Sequence, residues 1–225
     1  MKSKILAKGT ILSIDFISII LEYISIILKS AAMTENTDIN ERIARHIRAL
    51  RTVKGYSLDV LAARSGVSRS TISLIERAAT SPTAVVLEKL AAGLDVSLAS
   101  LFSYEAEGTA IQPLVYQAQQ LQWRDPETGY IRRNLSPPGW KSPIQLVEIN
   151  FPAHTHVAYD LTGREKPAYQ QIWMLNGTMN ILFGSETYVL NQGDCLALKL
   201  DQPLIFHNLT PNSARYIVAI CDGSI

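Results

Sequence analysis

Two groups of side chains in this 225-residue sequence have the types and spacing to do chemistry. Hydroxyl and basic side chains are concentrated between Ser57 and Arg77, and such groups bind the phosphates and base edges of nucleic acids. His154 and His156 form a His-x-His pair, and two imidazoles on one face of a strand can hold a metal ion. The C-terminal half contains no nucleophile beside a base and no phosphate-binding glycine loop. Nucleic-acid binding and metal binding are therefore the two activities to weigh.

The segment that carries the first group has the spacing of a helix-turn-helix. Apolar residues recur every three or four positions from Ile39 to Leu50 and predict a first helix that ends at Gly55. Ser57 and Ser68 stand where two short helices need N-caps, and Gly66 lies where the turn between them needs a left-handed residue. Further helices are predicted over Leu58–Arg64, Arg69–Arg77 and Thr83–Leu94, and at Leu98, Leu101 and Phe102. Two capped helices joined in this way make a helix-turn-helix.

The charge of this segment and its pattern agree with each other. Nine basic and five acidic side chains lie between Asn40 and Ser103, a net charge of +4, whereas the chain from Gly108 onward carries −1. A positive segment suits a polyanionic partner. The run from Ser57 to Arg77, followed by Ser81-Pro82, resembles the lambda-repressor/Cro-type (XRE) family of helix-turn-helix domains. The resemblance implies a DNA-binding domain whose third helix enters the major groove.

With the third helix in the groove, eight residues are predicted to contact DNA. Base edges are expected to meet Arg69, Ser70, Ser73 and Leu74, and phosphates to meet Ser57, Ser68, Thr71 and Arg77. Arg69 is the best candidate for a bidentate contact with guanine, and Leu74 offers apolar contact alone. Leu58 and Ala78 depart from the family, which usually has a polar residue and a glycine there. One alternative is a solvated basic face on an interaction domain that has lost DNA binding, and another is an antitoxin-like interaction protein whose DNA binding depends on a partner.

The C-terminal half changes to the alternation of β-strands. Strands are predicted over 144–151, 171–175, 179–183 and 214–220, with turns between them, and this spacing is typical of a sandwich or barrel. Ile172–Gly177 and Tyr188–Asp194, with Asn208, resemble the two motifs of the cupin barrel. The expected fold class is therefore α+β: a five-helix lambda-repressor-like DNA-binding domain followed by an antiparallel β-barrel of the cupin or jelly-roll type.

The cupin resemblance does not extend to the metal ligands. Metal-binding cupins supply two His and a Glu from the first motif and a His from the second, but Gln170 and Leu204 occupy the Glu and final His positions here. His207 is expected to point away from Leu204 by strand alternation. We expect no metal, no cofactor and no catalytic residue, and hence no enzyme. The rival interpretation is a metal-dependent cupin enzyme of the dioxygenase or isomerase type, using His154, His156 and an acid such as Asp160.

Without metal ligands, the lumen of the predicted barrel is a neutral pocket. Alternation places five residues on its walls, namely Gln170, Ile172, Met174, Leu204 and Phe206. Such a pocket is mostly apolar with one amide and suits a small organic effector. The plainer interpretation is that these side chains fill the barrel.

The domain boundaries follow from the change of pattern. Residues 1–38 are interpreted as an N-terminal extension, 39–103 as the DNA-binding domain, 104–111 as a linker and 112–225 as the barrel. The apolar run before Met33 resembles a signal peptide, but Asp15 and Glu22 interrupt it, so a start at Met33 or an interfacial helix is favoured over a membrane span. The two cysteines, Cys195 and Cys221, are expected to be buried thiols.

Together these features predict a cytoplasmic, sequence-specific DNA-binding regulator of transcription. It is expected to be a homodimer, because one helix-turn-helix reads too few base pairs. A small-molecule effector is its other expected partner, and no membrane is involved.

Overall fold

The computed structural model describes residues 39–102, 111–161 and 168–222. The predicted extension, 1–38, and most of the predicted linker, 104–111, lie outside these residues. Within them, five α-helices precede ten β-strands. No helix in this part of the chain has the length and apolarity needed to cross a membrane.

The helices follow the predicted caps closely. Helix α1 covers residues 39–53, and the later helices are α2 (Leu58–Ser65), α3 (Arg69–Glu76), α4 (Ala84–Gly93) and α5 (Leu98–Leu101). Each of the last four begins after a Ser or Thr whose side chain accepts a hydrogen bond from a backbone N–H of the first turn. Gly66 ends α2 with φ of 66°, the left-handed conformation that favours glycine. Ile47, Leu61, Ile72, Leu87 and Leu101 are completely buried in the core that these helices share.

The strands form two antiparallel sheets. The strands are β1 (Gln122–Arg124), β2 (Ile131–Asn134), β3 (Ile144–Phe151), β4 (Thr155–Tyr159), β5 (Ala168–Asn176), β6 (Met179–Phe183), β7 (Glu186–Leu190), β8 (Cys195–Lys199), β9 (Leu204–Asn208) and β10 (Ala214–Asp222). One sheet has the order β1-β2-β3-β10-β5-β8 and the other β4-β9-β6-β7. From β3 onward the strands therefore follow the jelly-roll order, to which β1 and β2 add two strands at one edge.

The α+β fold class is confirmed, and the jelly roll takes the form of two sheets rather than a closed barrel. Among the described residues, no ladder of hydrogen bonds joins the two sheets. The four predicted strands coincide with β3, β5, β6 and β10 within a few residues. Strands β1 and β2 gave no clear alternation in the sequence, since they are three and four residues long and include three arginines.

The helical domain and the jelly roll are joined by specific contacts. The buried Asp125 carboxylate accepts a hydrogen bond from the backbone N–H of Ala84, the first residue of α4, at 2.9 Å. The Phe102 ring packs edge-on against Trp123, with 5.5 Å between centroids. Asn134 Nδ2 donates to the Phe102 carbonyl at 3.1 Å. Helices α4 and α5 are thereby held against the jelly roll.

Candidate DNA interface and effector cavity

The turn between α2 and α3 is fixed by its caps. Ser57 Oγ accepts a hydrogen bond from Val60 N, and Ser68 Oγ accepts one from Thr71 N, each at 3.1 Å. Ser68 Oγ also lies 2.7 Å from Thr71 Oγ1. On the inner side of α3, Ile72 and Ile75 are buried, so the opposite side of the helix faces outward. The local sequence thus presents α3 as an exposed helix on a rigid support.

All eight residues predicted to contact DNA lie at the surface of this pair of helices. Thr71 and Ser73 are half-buried and the other six are exposed: Ser57, Ser68, Arg69, Ser70, Leu74 and Arg77. The Arg69 side chain is 66% exposed, and its contact with the equally exposed Asp59 is long, at 3.4 Å. Such an ion pair contributes little, so the guanidinium can exchange it for a stronger partner.

Three residues near this face have contacts or a backbone conformation that local sequence spacing does not predict. Arg51 makes a bidentate pair with Glu76 at 2.6 and 2.8 Å and donates to the Tyr56 carbonyl. Leu58 packs against the core instead of pointing to a phosphate. Ala78, in the family's glycine position, has φ of 53°, so the left-handed turn is kept without the glycine.

A cavity of about 70 Å³ lies between the two sheets and the helical domain. Of the five predicted pocket residues, Gln170, Leu204 and Phe206 line it. Ile172 and Met174 are also buried, but they pack in the core away from this cavity. Three of the five residues of the predicted pocket thus line one cavity, and their binding of an effector stays a prediction.

The arginine that lines the cavity was not predicted to do so. Arg132 is 5% exposed, and its Nε and Nη2 atoms have no hydrogen-bond partner. Its guanidinium carbon lies 4.8 Å from the centroid of the Phe102 ring. Burial lowers the pKa of Arg132, but a guanidinium keeps its proton. A positive charge with unused donors therefore lines the cavity.

Three tyrosines and a glutamine supply neutral donors beside this arginine. Tyr130, Tyr159 and Tyr216 line the cavity, and the hydroxyls of the first two are 3.2 Å apart. Burial raises the pKa of Tyr130 to about 12 and raises the pKa values of Tyr159 and Tyr216 well above the usual value. All three hydroxyls are thus protonated at neutral pH. Gln170 Nε2 has no hydrogen-bond partner either.

The helical domain supplies one wall of the same cavity. Glu88 from α4, and Leu98 and Ala99 from α5, line it together with the cap residue Ser97. Since Arg132 also contacts Phe102, just after α5, the cavity is shared by both domains. A molecule bound in it would contact the elements that support α2 and α3.

The histidines do not form a metal site with the cavity. His156 and His207 are paired neighbours on β4 and β9, with ring centroids 5.7 Å apart, and neither lines the cavity. Along β9, His207 lies on the face opposite the buried Leu204 and Phe206, as predicted. Within the described ranges, no three His, Cys, Asp or Glu side chains are grouped so that they could hold one metal ion. The expectation of buried thiols is wrong for Cys195, which is exposed, and Cys221 is half-buried.

Comparison with known proteins assigns the helical domain. Residues 47–101 match the HTH_3 helix-turn-helix family. The N-terminal domain is therefore an XRE-type helix-turn-helix domain. The chain is 44% identical over 66 residues to the HTH-type transcriptional regulator SinR of Bacillus subtilis strain 168, a match that covers 29% of this chain and 60% of SinR.

Two further matches extend beyond the helix-turn-helix domain. The HTH-type transcriptional regulator SutR of Escherichia coli K12 is 26% identical over 172 residues, which are 75% of this chain and 90% of SutR. The crystal structure of an HTH_3 family transcriptional regulator from Vibrio cholerae has a TM-score of 0.66 at 24% identity, covering 83% of this chain and 98% of that one. The combination of this helix-turn-helix domain with the C-terminal fold is thus found in another protein.

Proposed function

We propose that this protein is a sequence-specific DNA-binding regulator of transcription that works as a homodimer and responds to a small molecule. The observation that carries the proposal is the capped α2-turn-α3 unit, whose outward side presents Arg69, Ser70 and Leu74 to solvent in a domain of the XRE type. The +4 charge of the segment from Asn40 to Ser103 suits the DNA backbone. The names of the relatives, all transcriptional regulators, support it.

Dimerisation is proposed through the outer face of the six-stranded sheet. Ile144 and Leu146 of β3 and Trp173 of β5 are 40–50% exposed there. Between them lies β10, whose Ile217 pairs with Trp173 and whose Ala219 pairs with Leu146. We call these five residues the outer sheet face. A contiguous apolar patch of this kind marks an interaction surface, and a second copy would bring two α3 helices to one DNA duplex.

The effector response is proposed to arise at the shared cavity. A ligand can shift a protein between two arrangements only if it binds one more tightly than the other. A cavity walled by both α4–α5 and the jelly roll meets this requirement, because a change in the placement of the helical domain changes the cavity itself.

The decisive experiment compares two arginine variants on DNA. A sequence enriched by the full chain from random duplexes is titrated with wild type, Arg69→Ala and Arg48→Ala in gel shifts at two salt concentrations. Arg48 is an exposed residue of α1, so its removal subtracts the same charge from outside the α2–α3 unit. Arg69→Ala is expected to weaken specific binding about 10–100-fold and to leave binding to shuffled DNA nearly unchanged.

The outcomes separate base reading from general attraction. An equal loss of specific DNA affinity in both variants would mean that Arg69 acts through its charge alone. That result would contradict the assignment of α3 as the helix that contacts the bases. If no sequence is enriched by the wild type, the proposal of unaided sequence-specific regulation is overturned.

A further inference from the structure

The buried arginine in the shared cavity needs a physical explanation. Moving a charged group out of water is costly unless it is paired and hydrogen-bonded. Arg132 is nevertheless almost fully buried, and two of its nitrogens donate to nothing. The Phe102 ring at 4.8 Å and the Glu88 carboxylate in the cavity wall offset part of the positive charge, but neither accepts a hydrogen bond from Nε or Nη2. An anion in the cavity would satisfy both the charge and the donors.

The walls restrict the kind of anion. Leu204, Phe206, Val218 and Ile220 give the cavity a largely apolar lining. A phosphate or sulfate would place oxygens against these side chains without donors, which is unfavourable. A carboxylate presents two oxygens on one side, which match the fork of a guanidinium, and carries an apolar remainder on the other. The volume of about 70 Å³ limits that remainder to a few carbon atoms.

We propose that the cavity binds a small aliphatic carboxylate, with the carboxylate on Arg132 and the hydrocarbon part against Leu204 and Phe206. Tyr130 and Gln170, which line the same space, supply further donors to the carboxylate oxygens. Because Arg132 contacts Phe102 and the cavity is closed on one side by α4 and α5, the bound acid favours the arrangement in which the helical domain is docked on the jelly roll. This last step, the control of DNA binding, rests on the function proposed above, whereas the binding of the acid does not.

The binding is tested by thermal unfolding of the full chain with defined probes. Sodium acetate, propionate and butyrate are compared with propionamide, the neutral isostere of propionate, and with sodium chloride at the same ionic strength. At about ten times its dissociation constant, an acid that binds the folded state alone raises Tm by about 3–5 °C for a protein of this size. At least one acid is expected to do so, and propionamide and chloride are not.

Two variants distinguish the arginine from a general salt effect. Arg132→Met is expected to lose the response to the acid, because it removes the guanidinium that holds the carboxylate. Arg124→Met, which changes an exposed arginine of the neighbouring strand β1, should respond like the wild type. Equal stabilisation by propionamide, an unchanged response in Arg132→Met, or no response of the wild type to any of the three acids would overturn the proposal.

Gel shifts with the same proteins then test the coupling. A change of at least several-fold in DNA affinity on adding the acid, absent in Arg132→Met, supports control of DNA binding. A thermal response without any change in DNA affinity overturns the coupling and leaves the binding site intact. A thermal response in a chain that selects no DNA sequence would overturn the proposed function and not the carboxylate site.

Discussion

The exposed helix α3 and the shared cavity each contain an arginine, in opposite surroundings. The Arg69 side chain is 66% exposed. Arg132 is 5% exposed and has donors that no protein atom satisfies. An exposed guanidinium contributes little to stability, whereas a buried one whose donors lack acceptors destabilises the folded state. An arginine therefore has almost no effect on folding stability at the exposed site and lowers it at the buried one.

Reversing the charge at the two arginines tests this contrast most strongly. Arg132→Glu would bury a carboxylate in an apolar cavity that already includes Glu88 in its wall, so we expect the free energy of unfolding to fall by at least about 3 kcal/mol. Arg69→Glu should change it by less than about 0.5 kcal/mol, because the site is exposed. Urea unfolding followed by circular dichroism measures both. Similar losses at the two sites would contradict the contrast drawn between them.

The exposed surfaces of the two domains also differ. The outward side of α3 is mainly polar, whereas the outer sheet face of the jelly roll is apolar around a half-exposed Trp173. Trp173→Arg is expected to weaken the dimer by at least about 30-fold, since aromatic residues at the centre of an interface commonly contribute about 2–4 kcal/mol or more. Analytical ultracentrifugation over a concentration series measures the change.

The control for this variant lies elsewhere on the surface. Val189→Arg replaces an exposed apolar residue of β7, in the other sheet, and should leave the dimer unaffected. A wild-type chain that is monomeric at all concentrations, or a dimer that survives Trp173→Arg, would move the interface to another surface.

The junction between the two regions depends on one buried carboxylate. Asp125 accepts hydrogen bonds from Ala84 N at the start of α4 and from the Thr128 backbone and hydroxyl. Asp125→Ala would leave the buried Ala84 amide and the half-buried Thr128 amide without these acceptors, and we expect a loss of about 2 kcal/mol. Glu127→Ala, an exposed acid two residues away, is the matched control and should change stability by less than about 0.5 kcal/mol. An Asp125→Ala variant as stable as the control would mean that the domains are held mainly by the Phe102 and Trp123 contact.

The sequence predicts the helix-turn-helix better than the cavity, and the reason is physical. Ser57, Gly66 and Ser68 act on their own neighbours in the chain, so caps and turns can be read from local spacing. The two long sheet strands β3 and β5 are likewise visible through alternation. The cavity, in contrast, combines residues from α4, α5, both sheets and the chain between them.

Arg132 illustrates what local pattern cannot resolve. It stands beside Arg133 in a four-residue strand, and only the pairing of that strand with β3 decides that Arg132 faces inward while Arg133 reaches Glu148 at 2.6 Å. Nothing in the two adjacent arginines distinguishes the buried one from the one with a partner. The pairing of Arg51 with Glu76 could not be predicted for the same reason, since its partner lies 25 residues away.

The smallest predicted effect concerns the end of the recognition helix. Ala78 N and Ala79 N donate to the carbonyls of Ile75 and Leu74, the two hydrogen bonds of a Schellman cap, and Ala78 takes the left-handed position with φ of 53°. A residue with a Cβ is strained there by about 1–2 kcal/mol, whereas glycine loses about 0.4–1 kcal/mol through its freer unfolded chain. Ala78→Gly should therefore stabilise the protein by about 0.5 kcal/mol.

Ala79→Gly provides the matched control for this change. Ala79 is also exposed but does not have a positive φ, so glycine brings the entropic loss without relief of strain, and stability should fall by about 0.5 kcal/mol. If the two substitutions change stability in opposite directions in the same urea titrations, the left-handed turn after α3 is held by the surrounding structure and not by the conformational preference of alanine. Destabilisation by both substitutions would mean that the turn relaxes in solution, and α3 would then lack the fixed C-terminus on which its position in a DNA groove depends.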